Sequence, residues 1–191
     1  MNKEMEEWEK ESGARFLRSI GLRSGQKVLD FGAGIGHYSI PTAIIVGKNG
    51  MVYALDKSNE KLDELMKRVR REGLKNIKRI DTKGELKIPL KAKTVDAILL
   101  YDVIHLVGKN DSSTRGDRKK LYENVYRIAK NNALISVYPT HLTTHTEIIS
   151  IEEIKQEIAQ YFLFERRTTS RLVHDNNFEN GEILNFRKKG N

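Results

Sequence analysis

Cysteine is absent from the 191-residue chain, which excludes disulfide bonds, thiolate metal sites and catalysis by a cysteine nucleophile. The chain also lacks an apolar run of membrane-spanning length. Its first seven residues are charged and contain no apolar core, unlike a secretory signal peptide. We therefore expect no membrane span, and a cytoplasmic location is the simplest expectation.

Aromatic residues are missing from the most basic part of the chain. The formal net charge is +8, and residues 57–93 carry 13 basic and 6 acidic side chains, a balance of +7. Such a stretch can attract nucleic acid or another polyanion. Without aromatic side chains it lacks the stacking groups of single-stranded nucleic acid binders, and an ordinary solvated surface is the favoured interpretation.

The chain does contain a glycine-rich turn with acids on both sides. The apolar residues 28–29 precede Asp30, and three alternate glycines follow within 32–36. A second apolar run, 51–55, ends on Asp56. This layout predicts a strand, a turn, a helix and a second strand whose terminal carboxylate can hydrogen-bond a ribose hydroxyl.

The spacing of the glycines and the position of Asp30 indicate which nucleoside binds. Dinucleotide-binding turns follow Gly-x-Gly-x-x-Gly and accommodate a pyrophosphate, whereas this turn follows Gly-x-Gly-x-Gly. A carboxylate at Asp30 would repel a pyrophosphate and would suit a cationic ligand without phosphate. S-adenosylmethionine (SAM) has that profile, since it carries an ammonium group and a sulfonium.

These residues resemble motif I and its partner acid in the class I SAM-dependent methyltransferases. Residues 22–27 resemble the family's lead-in to its first strand, and 80–82 fall where an acid commonly contacts adenine. Residues 94–106 resemble the fourth strand of the small-molecule branch. The resemblance covers residues 13–139, and the nearest relatives appear among the ubiquinone/menaquinone-biosynthesis-like enzymes with a type 11 methyltransferase domain.

The resemblance implies SAM as cofactor and a set of binding residues. Asp56 is assigned to the ribose hydroxyls, with a helix-capping or turn role as the alternative. Asp81 is assigned to the adenine amino group, with a turn role as the alternative. Asp30 is expected to act on the methionine moiety through water or backbone, and Tyr38 either lines the pocket or packs. The full set is Asp30, Gly32, Ala33, Gly34, Gly36, Tyr38, Asp56, Lys57, Asp81, Thr82 and Tyr101.

No sequence motif specifies catalytic residues. Methyl transfer from a sulfonium depends chiefly on alignment, and a general base helps only if the acceptor must lose a proton. Asp102 could equally cap a turn, and His105 could equally be a core histidine. No metal site is predicted, because the two histidines spaced four apart lie in a polar loop. The candidates are Tyr101, Asp102, His105, His141 and His145.

The alternation of strands and helices predicts an α/β fold, a Rossmann-like, doubly wound, mostly parallel seven-stranded sheet with an antiparallel last strand. We expect residues 1–191 to form a single methyltransferase domain, with a helical segment at 1–20. Helices are expected to begin at Ser58, Asp117 and Ser150, and strands to cover 76–80, 95–101, 133–138, 162–173 and 182–188. Polar loops are expected at 107–116 and 139–149.

The favoured function is methyl transfer from SAM to a small-molecule acceptor. RNA or protein methylation with docking through the basic 57–93 face, and a SAM-binding protein without catalysis, remain as alternatives. A nicotinamide-dependent oxidoreductase is disfavoured by the glycine spacing and Asp30. The sequence identifies neither the acceptor nor the oligomeric state.

Overall fold

A computed structural model describes residues 3–108, 114–142, 149–174 and 176–190. The chain divides into two compact units. The first unit comprises residues 1–83 and 171–180, and the second comprises 84–170 and 181–191. No helix in the described part of the chain is both long and apolar enough to cross a lipid bilayer.

Within the described residues there are six α-helices and seven strands, and from β1 to β6 most strands are separated by a helix, as expected for an α/β fold. The helices are α1 (Lys3–Glu7), α2 (Gly13–Ile20), α3 (Ser39–Val46), α4 (Asn59–Arg71), α5 (Arg115–Ile128) and α6 (Ile151–Ala159). A π-helical stretch, Trp8–Ser12, joins α1 to α2, and a 3-10 turn covers Ile104–Leu106. The strands are β1 (Lys27–Phe31), β2 (Met51–Asp56), β3 (Ile77–Asp81), β4 (Val95–Tyr101), β5 (Ala129–Tyr138), β6 (Leu163–His174) and β7 (Asn177–Arg187).

The seven strands form one mixed sheet in the order β3-β2-β1-β4-β5-β7-β6. The pairs β1/β2, β2/β3 and β4/β5 are parallel, and β5/β7 is antiparallel. The predicted mostly parallel sheet with an antiparallel last strand is therefore confirmed.

The register of the first unit brings the acidic strand ends to one edge. Asp30 lies opposite Ala54 in the β1/β2 pair, and Asp56 lies opposite Asp81 in the β2/β3 pair. Parallel strands end at the same edge of a sheet, which is where ligands bind in such folds. The fully buried Val28 is among the core residues that fix this register, because a slip by one residue would turn it to the other face.

Helix α4 begins and ends as the sequence predicts. The Ser58 hydroxyl accepts a hydrogen bond from the Lys61 N–H at 3.3 Å, which satisfies one free donor of the first turn. Gly73 follows the helix with φ +65°, a conformation that glycine adopts without strain.

The N-terminal segment is helical as expected, with the π-helical stretch as an addition that the apolar pattern does not reveal. The apolar residues of the predicted stripe, Trp8, Phe16, Leu17 and Ile20, are all buried. The Trp8 ring packs edge-on against Tyr38, at 5.7 Å between centroids. This stripe therefore belongs to the core of the first unit.

Three boundaries between residues 114 and 177 differ from the prediction by two residues or more. Helix α5 begins at Arg115, because the Thr114 hydroxyl accepts the Asp117 N–H and caps the helix two residues earlier than expected. Strand β5 begins at Ala129, where Ala129 pairs with Val95 across a register shift. Strand β7 begins five residues earlier than predicted, since its polar first half lies on the surface.

Parts of the two predicted polar loops lie outside the described residues. Residues 109–113 of the first loop and 143–148 of the second belong to these parts, as does His145. A capping box forms at Ser150, where a helix was expected to begin: the Ser150 hydroxyl accepts from the Glu153 N–H, and the Glu153 carboxylate accepts from the Ser150 N–H.

Candidate cofactor site and candidate acceptor side chains

Backbone hydrogen bonds fix the shape of the glycine turn between β1 and α3. The N–H groups of Gly32 and Ala33 both donate to the Leu55 carbonyl, at 2.8 and 3.0 Å. Gly34 and Gly36 have φ values of +54° and +94°, which residues with a Cβ rarely adopt. The sequence motif therefore forms the tight strand-to-helix turn that it predicts.

Asp56 connects this turn to the start of α4. One carboxylate oxygen accepts the Gly34 N–H at 2.8 Å, and the other accepts the Ser58 N–H at 2.8 Å. The turn role weighed as an alternative for Asp56 is thus present in the structure, since the bond from the Ser58 N–H closes an Asx turn ahead of the helix. A carboxylate has about four acceptor positions, so these bonds leave capacity for a ribose hydroxyl.

Asp30 is a buried carboxyl group at the end of β1. Its side chain accepts a hydrogen bond from the Ser39 hydroxyl at 2.6 Å, and the residue is 3% exposed. Burial raises the pKa of Asp30 to about 6; the Ser39 hydrogen bond opposes this rise and the nearby Asp56 charge adds to it. A cationic ligand would favour the ionised form of this group.

The turn keeps backbone donors available for a ligand. Within the described residues, the N–H groups of Ile35 and His37 have no hydrogen-bond partner. A Cβ added at Gly34 would meet no atom within 4 Å, so there is open space beside the turn. Free donors, open space and two carboxylates fit a ligand that carries both a carboxylate and an ammonium group, as SAM does.

The remaining predicted cofactor residues of the first unit differ in their surroundings. The Asp81 carboxylate is exposed and accepts from the Arg79 guanidinium, at 2.6 Å to Nη2. The Thr82 N–H donates to the Asp56 carbonyl at 3.2 Å, and Lys57 is exposed. Asp81 would have to share its carboxylate between Arg79 and an adenine amino group.

Tyr38 packs within the first unit. Its hydroxyl donates to the Val173 carbonyl at 2.9 Å and accepts the Val173 N–H at 3.1 Å. The residue is 8% exposed. The contacts of Tyr38 are those of a packed side chain, which is one of the two roles considered for it. The assignment of Tyr38 to the cofactor site stays a prediction.

Two buried charged residues next to the turn, Glu9 and Arg68, are not predicted from the sequence. Arg68 donates to the Ile35 carbonyl and to the Glu9 carboxylate, and Glu9 also bonds His37 Nδ1 at 3.1 Å. Burial alone would raise the pKa of Glu9, but its bonds to His37 and Arg68 more than offset this, so the pKa lies below its usual range. The available signal was the position of Arg68 three residues after Leu65, on the apolar face of α4.

The catalytic candidates of the second unit lie where β4 and β5 end. The Tyr101 hydroxyl is buried and bonds the Ser136 hydroxyl at 2.7 Å. The Asp102 carboxylate accepts from the Thr140 hydroxyl and lies 3.8 Å from His105 Nδ1.

The His105 and His141 rings are in contact, with 4.8 Å between centroids. Together with Asp102 they form a cluster, whereas the Tyr101 hydroxyl bonds within the sheet. The remaining candidate, His145, lies outside the described residues.

The strand order, the glycine turn and the acid after β2 define a Rossmann-like nucleoside-binding fold. Solved structures agree with this fold. A SAM-dependent methyltransferase from Aquifex aeolicus superposes with a TM-score of 0.73 at 23% identity, covering 95% of this chain and 92% of that one. The N-methyltransferase NodS from Bradyrhizobium japonicum superposes with a TM-score of 0.72 at 12% identity, covering 95% and 97%.

A family model described as "Methyltransferase domain" matches residues 22–188, and the chain belongs to this family. The family and the fold confirm the predicted resemblance of the chain to the class I, SAM-dependent methyltransferases. The finer resemblance to the ubiquinone/menaquinone branch stays a prediction.

Two curated relatives match a shorter part of the chain. A protein-L-isoaspartate O-methyltransferase of Methanocella arvoryzae is 31% identical over 65 residues, which is 34% of this chain and 35% of that protein. A probable cobalt-precorrin-6B C(15)-methyltransferase of Saccharolobus solfataricus is 30% identical over 60 residues, 31% of this chain and 30% of that protein. The chain thus matches about a third of the length of these relatives.

Proposed function

We propose that this enzyme transfers the methyl group of SAM to a small-molecule acceptor. The observation that carries the proposal is the cluster of Asp102, His105 and His141 at the ends of β4 and β5.

Ion pairs engage two arginines of the basic 57–93 face. The Arg79 guanidinium bonds both Asp63 and Asp81, and Arg68 is buried against Glu9. The stretch keeps an excess of positive charge, because Asp63 and Asp81 are already counted in its balance of +7. Docking of a polyanion therefore stays the alternative that a salt titration tests.

The cluster of Asp102, His105 and His141 supports an acceptor that loses a proton. Ligands of open α/β sheets lie beyond the carboxyl ends of the strands, and these side chains follow β4 and β5 directly. In the proposed reaction, an oxygen or nitrogen lone pair of the acceptor forms a bond to the methyl carbon as the carbon–sulfur bond breaks. S-adenosylhomocysteine leaves, and an imidazole of the cluster takes the acceptor's proton.

A protein acceptor is the second candidate, because one of the matched relatives is a protein-L-isoaspartate O-methyltransferase. Another relative is a probable cobalt-precorrin-6B C(15)-methyltransferase, and a precorrin is a small molecule. The two names therefore favour different acceptor classes, and only a direct measurement separates them.

The test is incubation of the purified protein with methyl-labelled SAM and three separated fractions of cell extract: small molecules, RNA and protein. We expect the label in the small-molecule fraction. Label in RNA or protein would overturn the small-molecule proposal. SAM binding without any labelled product would instead favour a binding protein that has lost catalysis. A steep loss of binding with rising salt would accompany a polyanionic acceptor.

A further inference from the structure

Two carbonyl oxygens of the glycine turn are held by side chains from distant parts of the sequence. The Ile35 carbonyl accepts from the guanidinium of Arg68, 33 residues away in α4. The His37 carbonyl accepts from the indole N–H of Trp8 at 2.9 Å, across 29 residues. Each bond fixes the plane of one peptide group in the part of the turn that leads into α3.

Glu9 in turn orients Arg68. The two side chains form an ion pair and are 6% and 4% exposed. Glu9 and Trp8 are neighbours in the π-helical stretch, so one short segment supplies both an anion for Arg68 and a donor for His37. The same Glu9 carboxylate bonds the His37 ring.

Stability alone gives a weak reason for these buried charges. The desolvation of a buried ion pair can cancel its attraction, and apolar replacements are often as stable. A positional role explains them better, because the guanidinium is a planar group with donors in a fixed geometry. Here that geometry is directed at the Ile35 carbonyl and at Glu9 together.

The peptide groups fixed in this way adjoin the free donors of the turn. The N–H groups of Ile35 and His37, which have no partner among the described residues, alternate with the two held carbonyls. The held planes, 35–36 and 37–38, alternate with the planes 34–35 and 36–37 that carry the free donors. A rotation of a held plane changes the backbone torsions on either side of it and so displaces the neighbouring donors. A ligand bound by preorganised donors avoids the cost of ordering them.

We propose that Glu9, Arg68 and Trp8 are positioning residues that hold the glycine turn in its SAM-binding conformation. The N-terminal segment then contributes to cofactor affinity without being required to touch the cofactor. This inference rests on the cofactor and is independent of which acceptor the enzyme uses.

The test compares Glu9→Gln and Trp8→Phe with the wild type by calorimetric titration with S-adenosylhomocysteine. Glu9→Gln keeps the shape and removes the charge, and Trp8→Phe keeps a ring and removes the N–H donor. The matched control is Glu157→Gln, which breaks the ion pair of Glu157 with the buried Arg118 in the second unit, 2.9 Å from Arg118 Nε. All titrations are made where circular dichroism shows each variant to be folded.

We expect Glu9→Gln and Trp8→Phe each to weaken S-adenosylhomocysteine binding by about tenfold, and Glu157→Gln to leave affinity unchanged while lowering the melting temperature. Unchanged affinity in both test variants would overturn the proposal. An equal loss of affinity in all three variants would also overturn it, because the effect would then follow stability alone.

Two further measurements apply if Glu9→Gln does not fold. Asn176→Gly removes the exposed amide that bonds His37 Nε2 at 2.8 Å and retains a residue suited to the left-handed φ of +62°; we expect a smaller loss of affinity, of about threefold. Trp8 is the only tryptophan, so the tryptophan fluorescence reports on this residue alone. Because its indole N–H bonds the turn, the fluorescence should change when S-adenosylhomocysteine binds. Binding in Asn176→Gly at wild-type affinity, with no fluorescence change in the wild type, would refute the coupling.

Discussion

The glycine turn and the ends of β4 and β5 present different kinds of chemical group. In the turn, the groups available to a ligand are backbone N–H groups, and Asp56 and Arg68 hold peptide planes next to those of the free donors. At the ends of β4 and β5, the groups offered are side chains, and Asp102 and His141 have left-handed φ values of +53° and +51°. A cofactor common to a whole family can be bound by backbone, whereas an acceptor that differs between enzymes is recognised by side chains.

The largest expected effect tests how tightly the backbone of the turn is constrained. In Gly36→Ala the new Cβ would overlap Leu65 Cδ1, and φ is +94°. Overpacking and left-handed strain together should lower the free energy of unfolding by about 2–5 kcal/mol, measured by chemical denaturation.

Gly73→Ala is the matched control for Gly36→Ala. Gly73 also has a left-handed φ, of +65°, but no atom lies within 4 Å of its added Cβ. It should lose only about 1–2 kcal/mol from strain. Equal losses in the two variants would show that the packing of Gly36 against Leu65 is unimportant.

Next in size is the pH dependence that Asp30 contributes. Its pKa is 3.8 as an isolated group and about 6 in the folded protein, so the folded state holds a proton that the unfolded state has released. The contribution of Asp30 to stability should therefore fall as pH rises from about 4 to about 6, by at most about 3 kcal/mol, opposite in sign to the contribution of Glu9, whose pKa is lowered. Asp30→Asn should remove this contribution when unfolding is measured at pH 4 and pH 7.

Asp96→Asn serves as the control for the pH measurement, because Asp96 is also on a strand but pairs with Lys130 at 2.7 Å near the surface. Its stability profile should keep the pH dependence of the wild type between these pH values. If Asp30→Asn keeps that dependence as well, Asp30 does not titrate in the expected range.

Asp56→Ala should weaken S-adenosylhomocysteine binding by about 1–3 kcal/mol, because it leaves a ribose hydroxyl and the Gly34 N–H without their acceptor. Calorimetric titration measures this loss.

Asp81→Ala and Asp63→Ala form a second matched pair, since both carboxylates bond Arg79 and only Asp81 is assigned to adenine. Identical affinities in this pair would remove Asp81 from the cofactor site.

The smallest expected effect concerns His141, one of the side chains that follow β4 and β5. His141→Asn, chosen because asparagine tolerates a left-handed φ, should lower turnover with the acceptor found in the labelling screen by about tenfold or more, equivalent to about 1.4 kcal/mol. Affinity for S-adenosylhomocysteine should not change. A variant with full turnover would exclude the His141 imidazole as the proton acceptor.

Local features of the fold were predictable because their partners are close in sequence. Ser58 and the box of Ser150 and Glu153 bond backbone groups three residues away, so composition and spacing reveal them. Thr114 was missed since Asp117 is itself a residue common in the first turn of a helix, and the two capping patterns compete.

Long-range features of the candidate site could not be predicted. Glu9 and Arg68 are 59 residues apart, and nothing in either local pattern specifies the other. The same holds for Tyr38 and Val173, separated by 135 residues. The glycine turn was recognisable because its constraint is a backbone conformation, and such constraints leave glycines in the sequence.

The first unit is built from two segments that are far apart in the sequence, and this affects how the chain folds during synthesis. Residues 171–180 belong to this unit, and Phe178 packs on the Trp8 ring with 5.7 Å between centroids. A ribosome must therefore extend the chain beyond residue 178 before the first helices are packed against this segment. Until then the part of the Trp8 indole that Phe178 covers stays exposed to water. A nascent chain arrested near residue 160 would therefore present an exposed apolar surface that chaperones can bind.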